Sequence, residues 1–484
     1  MNMSAYAGRV EYAAPRPNAL SGPLSPSIVS GLIGIVDALC VASTGYVIFL
    51  IYVGWEAGTT QLYLSAISIA TFMTIGAFWV AGVYKLEIIG RFTEKFRVIL
   101  KTCAIVFLLL VTLSFALKIS SQFSRVWTFS WLLLSSMFIC AARANCYFLL
   151  RSWARSGRLT RNLIIVGSGE QTKRLIARLT ESAEPWNVII GVFDDRVERI
   201  SEIPDLPVLG TVGDLLDYAR KNRTDDIIVA LPWCAEDRIQ EVVSRLEDLP
   251  VHVHLGSDLA AFTYPNGNYS SFGGLTMLRI AVKPLAGWRT VVKHLEDKFL
   301  ATLLLVAFSP LMCLIALAIK LDSKGPVMFR QPRYGFNNVA FSVFKFRTMY
   351  DNGIPDVSAA QAQRDDPRVT RVGRFLRRTS LDELPQLFNV LQGSMSLVGP
   401  RPHPVPLNEK HARLIRGYFS RHRVKPGITG WAQINGLRGE TETPEKMKAR
   451  VEHDVWYIEH WSLMRDLYIL VMTAYVVWFQ KNAY

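Results

Sequence analysis

Cysteine is scarce in this chain of 484 residues: there are six, and no Cys-x-x-Cys pair among them. Five of them, Cys40, Cys103, Cys140, Cys146 and Cys313, lie in apolar segments, and Cys234 stands alone. The 8 histidines give no His-Glu-x-x-His. Neither a disulfide framework nor a zinc site is indicated. Zinc-finger spacing and RNA-binding signatures are also missing, so nucleic acid has no support as a partner. Charged residues make up only 19% of the chain, and acid is the scarcer sign, with 40 Asp+Glu against 54 Lys+Arg. The net charge of +14 is unevenly placed: from Lys320 onward there are 25 Lys/Arg and 15 Asp/Glu, which is +10 of the total. Such a surplus suits phosphate-bearing partners or an anionic lipid surface.

Hydrophobic residues, by contrast, are plentiful at 50%. After a Pro/Ser-rich stretch, "APRPNALSGPLSPS", expected to be a disordered tail over residues 1–27, four apolar runs follow at 28–53, 62–84, 99–118 and 127–150. The first starts too late and runs too long for a signal peptide. Each is long enough for a ~30 Å hydrocarbon core, which takes about 20 helical residues. The first loop has no Lys or Arg and the third only Lys118 and Arg125. The second carries Lys85, Arg91, Lys95 and Arg97, and the fourth run is followed by Arg151, Arg155, Arg158 and Arg161. This bias predicts a four-helix transmembrane region, 28–150, with both ends in the cytoplasm. Asp37 lies inside the first run; read as an acid without a basic partner in the helices, it fits helix packing better than a transport path.

From Asn162 the pattern changes. "NLIIVGSGEQTKRLIARL" reads as strand, glycine turn and helix, and "VIIGVFDD" and "DDIIVAL" supply further buried strands. Strands alternating with helices predict a Rossmann-like parallel α/β domain over 158–275. Gly167 and Gly169 resemble the dinucleotide fingerprint, but Thr172 takes the place of its third glycine, and Asp194 and Asp195 come late for a ribose contact. Nucleotide binding and a regulatory or dimerising role both stay open.

A fifth apolar run, Phe299–Ile319, is long enough to span, but Ser309-Pro310 falls in its middle and both flanks are basic. Proline removes a backbone donor, and positive charge on both sides suits a segment that enters and leaves by one face. The expectation is a re-entrant membrane helix at 290–322, broken at Ser309 and Pro310. The last apolar run, Leu467–Phe479, is too short to span and is expected to be interfacial or packed on the domain.

The remaining third, 323–484, carries the chemistry. In "FSVFKFRTM", Lys345 and Arg347 share a strand face, where they could grip a diphosphate or serve as a solvated edge. "RRTSLDEL" fits a capping box, with Ser380 as N-cap and Glu383 three residues on, which would put Asp382 and Glu383 in the first turn of a helix; Pro385 disturbs that reading. Adjacent helical residues point about 100° apart, so the two acids would do different jobs. One could attack phosphorus while the other holds a divalent cation. Arg374, Arg377, Arg378 and Arg401 would neutralise phosphates, with Arg401 fixed between two prolines in "GPRP". Beyond a loop carrying Lys425 and Arg438, Asp454 shares a helix face with Val451, Tyr457, Ile458 and Trp461, where a carboxylate needs a partner or a function.

The segments "FKFRTM", "DPRVTRVGRFLRRTSLDELPQLFNVLQGSMSLVGPRPH", "RHRVKPGITGWAQINGLRGET" and "DVWYIEHWSLMRDLYIL" resemble the bacterial sugar transferases, the polyprenyl-phosphate hexose-1-phosphate transferases. With the four spans and the α/β domain, the chain is similar to the long members that start exopolysaccharide or capsule synthesis. The resemblance implies a UDP-hexose donor, a Mg²⁺ ion, an undecaprenyl-phosphate acceptor and downstream glycosyltransferases, with the catalytic domain on the cytoplasmic face of the bacterial inner membrane. It assigns Asp382 as nucleophile and Glu383 as metal support. Lys345, Arg401 and Asp454 match further family positions, and Arg347 and Arg378 join them as phosphate-binding candidates. Arg438 follows Leu437 where shorter members have an arginine directly after "NG", and Ser309-Pro310 matches the family's membrane-helix break.

The fold expected is thus a membrane α/β protein: four transmembrane helices, a Rossmann-like domain, and a re-entrant helix leading into an α/β catalytic domain. The expected reaction moves glucose-1-phosphate from UDP-glucose, with galactose as the alternative sugar. A membrane-anchored nucleotide-sugar dehydratase would need Tyr-x-x-x-Lys, and none of the 17 tyrosines has a lysine four residues on. A non-catalytic scaffold for polysaccharide assembly would have no use for intact acids and cations. The α/β domain and spans could build a homodimer.

Overall fold

The computed structural model describes residues 26–55, 57–84, 92–155, 161–181, 187–196, 208–232, 234–256, 269–272, 275–350, 366–415, 417–437 and 443–479. Residues 1–25 of the expected tail, Lys85, Arg91, Arg158 and Arg438, all named above, lie outside these residues, whereas Pro26 and Ser27 are already helical. The chain divides into two compact units at residue 160/161.

The first unit is helical. Helix α1 (Pro26–Ile48) continues as a π-helical turn over Phe49–Val53 and is followed by α2 (Ala57–Val80), α3 (Phe92–Ala116) and α4 (Arg125–Arg155). Apolar side chains on their outward faces are exposed, including Phe72, Val80 and Leu108, as a hydrocarbon surround requires. The inner faces close on Phe49, Tyr63, Phe78, Trp127 and Trp131. Both indole N–H groups find acceptors in this apolar core: Trp127 donates to the Gly45 carbonyl and Trp131 to that of Val41, at 3.0 and 2.9 Å. Asp37 does have a basic partner, contrary to the expectation. Arg143, inside α4, meets its carboxylate at 2.5 Å, and both are buried. One arginine within the fourth apolar run supplies the counter-charge.

The second unit opens with a seven-stranded sheet ordered β3-β2-β1-β4-β5-β7-β6. Its strands are β1 (Arg161–Val166), β2 (Asn187–Phe193), β3 (Val208–Gly210), β4 (Asp226–Val229), β5 (His252–Leu255), β6 (Tyr269–Phe272) and β7 (Leu275–Ala281). Strands β1 to β5 run parallel, whereas β7 pairs antiparallel with both β5 and β6. The sheet is therefore mixed, and it runs past residue 275 to Ala281. Continuous apolar runs make the central strands, because both faces are covered: Leu163–Val166 and Ile227–Val229 are fully buried. The covering helices are α5 (Glu170–Glu181), α6 (Val212–Lys221) and α7 (Glu236–Leu246). Helix α6 begins with a full capping box between Thr211 and Asp214.

At the glycine turn after β1, the Asp194 carboxylate accepts the Ser168 N–H at 2.7 Å and the Ser168 hydroxyl at 2.6 Å. Thr172 is fully buried and donates to the Gly167 carbonyl. A carboxylate of the chain itself thus occupies the Ser168 donors of the turn.

Helix α8 (Trp288–Asp322) follows. The helix runs unbroken through Pro310, so the expected break does not interrupt the element. Pro310 cannot donate to the Val306 carbonyl four residues back; the Ser309 hydroxyl does so instead, at 2.9 Å. The N-terminal half of α8 packs through Ala301 against Val390, Leu397 and Tyr457, and its C-terminal half packs through Met312, Ile315 and Ile319 against Phe346 and Leu376. Both halves thus rest on the same body. Five helices among the described residues, α1 to α4 and α8, are long and apolar enough to cross a membrane.

The body itself comprises the hairpin β8 (Met328–Tyr334) and β9 (Ala340–Phe346), helices α9 (Arg371–Thr379) and α10 (Gln386–Gln392), and the parallel pair β10 (Ser396–Val398) and β11 (Gly427–Thr429). Helix α11 (Val405–Leu414), a 3₁₀ segment Tyr418–Arg423, the short α12 (Trp431–Ile434), α13 (Pro444–Glu459) and α14 (Leu463–Phe479) complete it. Helix α14 buries Ile469 and Val476 while exposing Met464 and Val471, so it is packed on one side.

Candidate active site

The two adjacent acids do not start an α-helix. Ser380 ends α9 in the left-handed conformation (φ 57°) and its side chain does not cap the next turn. Leu381–Glu383 form a 3₁₀ turn, and α10 begins only after Pro385. The reason is local: an α-helix from this point would need an N–H at residue 385, which proline lacks. The capping-box expectation therefore fails, and the Glu383 side chain is left for other partners.

Those partners are two cations from distant segments. Lys345, near the end of β9, places Nζ 2.8 Å from Glu383 Oε1. Arg401 donates Nη2 to Oε1 at 2.6 Å and Nη1 to Oε2 at 3.1 Å, the planar fork that favours guanidinium over ammonium. Burial pushes the Glu383 carboxyl up, but Arg401 and Lys345 outweigh it and hold it well below the usual carboxylate range.

Asp382 differs from its neighbour. No hydrogen bond or ion pair among the described residues reaches its carboxylate, and it is half-buried. Desolvation raises its pKa to about 6, with the Glu383 charge adding to the rise and Lys345, Arg401 and Arg377 opposing it. One acid is clamped and ionised; the other is unengaged and less tightly ionised.

The loop carrying Arg401 is fixed at three consecutive carbonyls. Gly427 N–H donates to Pro400 O at 3.0 Å, Arg421 Nη2 to Arg401 O at 2.7 Å, and the Arg333 guanidinium to Pro402 O. Arg421 is 1% exposed and forms an ion pair with Asp454 at 2.8 Å. Its Nη1 also meets His403 Nδ1 at 2.6 Å, and the Tyr418 hydroxyl meets the same nitrogen at 2.7 Å. Burial, then Arg421 and Arg450, keep His403 neutral, its pKa well below the usual histidine value.

The structure thus gathers Asp382, Glu383, Lys345 and Arg401. Asp454 lies one layer behind, joined to them through Arg421. Arg347 goes elsewhere: β9 ends at Phe346, and the buried Arg347 guanidinium donates to the carbonyls of Ser323 and Lys324 at the end of α8. Helix ends leave such carbonyls without intrahelical donors, so Arg347 and Lys345 do not share one ligand. Arg378 is exposed in the last turn of α9, and it is Arg377, bound to Thr348 Oγ1 at 2.9 Å, whose charge reaches Asp382. Sequence reasoning missed Arg421, His403 and Tyr418. "RHR" offered only a cationic cluster, and nothing in it tells which arginine turns inward.

Residues 288–480 match the sequence model of the family described as bacterial sugar transferase, and residues 79–256 match one described as a CoA-binding domain. The chain is 39% identical over 365 residues to the UDP-glucose:undecaprenyl-phosphate glucose-1-phosphate transferase of Escherichia coli K12, covering 74% of this chain and 76% of that relative. It is 36% identical over 478 residues to the undecaprenyl-phosphate glucose phosphotransferase of Komagataeibacter xylinus, covering 96% and 86%. The UDP-N-acetylgalactosamine-undecaprenyl-phosphate N-acetylgalactosaminephosphotransferase of Aeromonas hydrophila is 44% identical over 182 residues, 38% of this chain and 42% of that one. This chain belongs to the bacterial sugar transferase family. It is a membrane-associated transferase, built of several apolar helices and a mixed α/β sheet domain ahead of the transferase body.

Proposed function

We propose that this enzyme transfers glucose-1-phosphate from UDP-glucose to undecaprenyl phosphate through an aspartyl phospho-sugar, the first step of exopolysaccharide repeat-unit assembly. The observation that carries the reading is the asymmetry of the acid pair. A nucleophile must be free to move onto phosphorus, and Asp382 is the unengaged carboxylate. Glu383, gripped by Lys345 and Arg401, is fixed in place. The names of the long relatives favour glucose as the sugar.

An Asp382 oxygen attacks the β-phosphorus of the donor, the bond to the bridging oxygen breaks, and UMP leaves. An oxygen of the lipid phosphate then attacks the same phosphorus, which releases the Asp382 carboxylate and yields polyprenyl-diphospho-glucose. Lys345 and Arg401 face the charge that grows on the departing phosphate. Among the described residues no group of three His, Cys, Asp or Glu could cage a metal ion. Mg²⁺ requires no such group, since it binds through one or two carboxylates together with substrate phosphates. Glu383 would support it, leaving Asp382 free to attack, and it would offset diphosphate charge when bound.

The reading places the transferase body on the cytoplasmic face of the inner membrane, with four spans before it and α8 re-entrant. Basic residues after α4 and on both flanks of α8 support this. So does the packing of both halves of α8 on one body, since a helix crossing the bilayer would part its ends. The test incubates membranes with labelled UDP-glucose. UMP release and butanol-soluble label are expected from wild type, and neither from Asp382→Asn; a variant as active as wild type would overturn the reading.

A further inference from the structure

Both cations on Glu383 are carried by segments that dock on the α/β domain. Lys345 stands on β9, and the tip of the β8–β9 hairpin reaches α6. There Asn337 Nδ2 donates to the Ala219 and Arg220 carbonyls at 3.3 and 3.2 Å. These belong to the last turn of α6, whose carbonyls have no donor within the helix. Asn337 holds a left-handed backbone (φ 53°) to make this contact. Arg401 is held through Arg421, on the 3₁₀ segment Tyr418–Arg423. That segment presents different residues to two sides, with positions three apart sharing a face. Tyr418 and Arg421 face the Arg401 loop, whereas Phe419, Ser420 and Arg423 face the α/β domain. The Arg220 guanidinium lies 5.1 Å from the centre of the Phe419 ring, Ser420 Oγ donates to Asp248 at 2.6 Å, and Arg423 Nη2 donates to Val282 O at 2.8 Å. Arg333, which ties down Pro402, also belongs to the hairpin.

We infer that the α/β domain is a positioning element of the transfer site, setting Lys345 and Arg401 against Glu383 through the hairpin tip and the 418–423 segment. This assigns the domain a role in catalysis that needs no nucleotide of its own, and it rests on the transfer reaction proposed above. Arg421 is the inner positioning residue, with Asp454 as its counter-ion. Asn337, Arg220 and Ser420 are the outer ones, and none of these three bonds to Glu383 or Asp382. The physical basis is geometric: charges that stabilise a transition state act only from fixed places, and a displacement of about 1 Å can cost about 10²-fold in rate.

The experiment uses the full-length enzyme in detergent or membranes, with Asn337→Gly, Arg220→Ala and Ser420→Ala combined. Glycine accepts the Asn337 backbone, so only the amide is lost. Rates are normalised to folded enzyme recovered by size exclusion. The expected result is a kcat lower by about tenfold with KM for UDP-glucose within about threefold of wild type, because positioning acts on the transition state more than on ground-state binding. Restoring Arg220 as Lys, which keeps a cation over Phe419, should recover part of kcat. Unchanged kcat per folded molecule would overturn the inference, whether or not yield falls. So would a loss confined to KM. Failure of the underlying reaction would show instead in wild type, as absent UMP release.

Discussion

Arg401 lays both terminal guanidinium nitrogens on the carboxylate of Glu383, at 2.6 and 3.1 Å. A lysine could offer only a point charge there, without the fork. Arg401→Lys should therefore lower kcat by about 10²-fold, close to the loss of one preorganised donor at a developing charge. Steady-state UMP release measures it, and near-wild-type kcat would show that charge alone suffices.

Asp382 ionises near pH 6 because burial raises it and Glu383 adds to the rise, against Lys345, Arg401 and Arg377. In the proposed reaction Asp382 must be deprotonated to attack, so activity should be full above that value and fall as pH drops through about 6. Replacing Lys345 with Met removes a cation that opposes the rise, and the acid limb should then move to higher pH. A pH profile of kcat/KM, which reports ionisations of the free enzyme, checks both the position and the sign of the shift.

Within the helical unit, Asp37 and Arg143 form a buried pair. Removing one partner strands the other charge, at a cost of about 3–5 kcal/mol. Arg143→Leu alone should sharply reduce folded enzyme, whereas Asp37→Leu with Arg143→Leu should recover much of it. Thermal unfolding of the purified variants reads the difference; equal losses in single and double variants would contradict the pairing.

Strand β11 passes so close to the chain after β10 that a Cβ on Gly427 would collide with the backbone of Gly399. Neither strand can yield without moving the Arg401 loop, whose Pro400 carbonyl is bonded to Gly427 N–H. Gly427→Ala should cost about 1–3 kcal/mol in stability, typical of overpacking, and lower activity further than the lost stability explains. Unfolding temperature and specific activity test the two parts separately.

Pro310 leaves the Val306 carbonyl without its helical donor, and Ser309 Oγ takes that role. Pro310→Leu restores a regular helix inside a long apolar segment. If the proline helps α8 stay on one side of the membrane, the variant should expose a reporter fused at Tyr484 to the periplasm in a measurable fraction of molecules. A reporter that remains wholly cytoplasmic would remove proline from the topology argument.

The helical unit and the central strands were legible because long apolar runs leave the chain few choices. Runs that fit the hydrocarbon thickness became α1 to α4, and Leu163–Val166 and Ile227–Val229 became strands buried on both faces. The antiparallel return of β6 and β7 was not legible, since their mixed composition gives no direction of pairing. In the site, Asp382, Glu383, Lys345 and Arg401 were readable as residue types in a basic, proline-punctuated segment. Arg347 and Arg378 were equally plausible on that ground, yet one caps the end of α8 and the other faces outward.

By itself, then, the sequence determined the apolar segments, the strands of the α/β core and the acid pair beside its cations, because hydrophobic period and local charge are properties of neighbours along the chain. Only the tertiary structure decided which acid is clamped, which arginine turns inward to hold Arg401, and what gives Asp37 its counter-charge. Those depend on side chains brought together from segments far apart in sequence, where low dielectric makes a single pairing decisive. Lys345 and Arg401 meet at Glu383 because the hairpin and the 418–423 segment fold onto the same body.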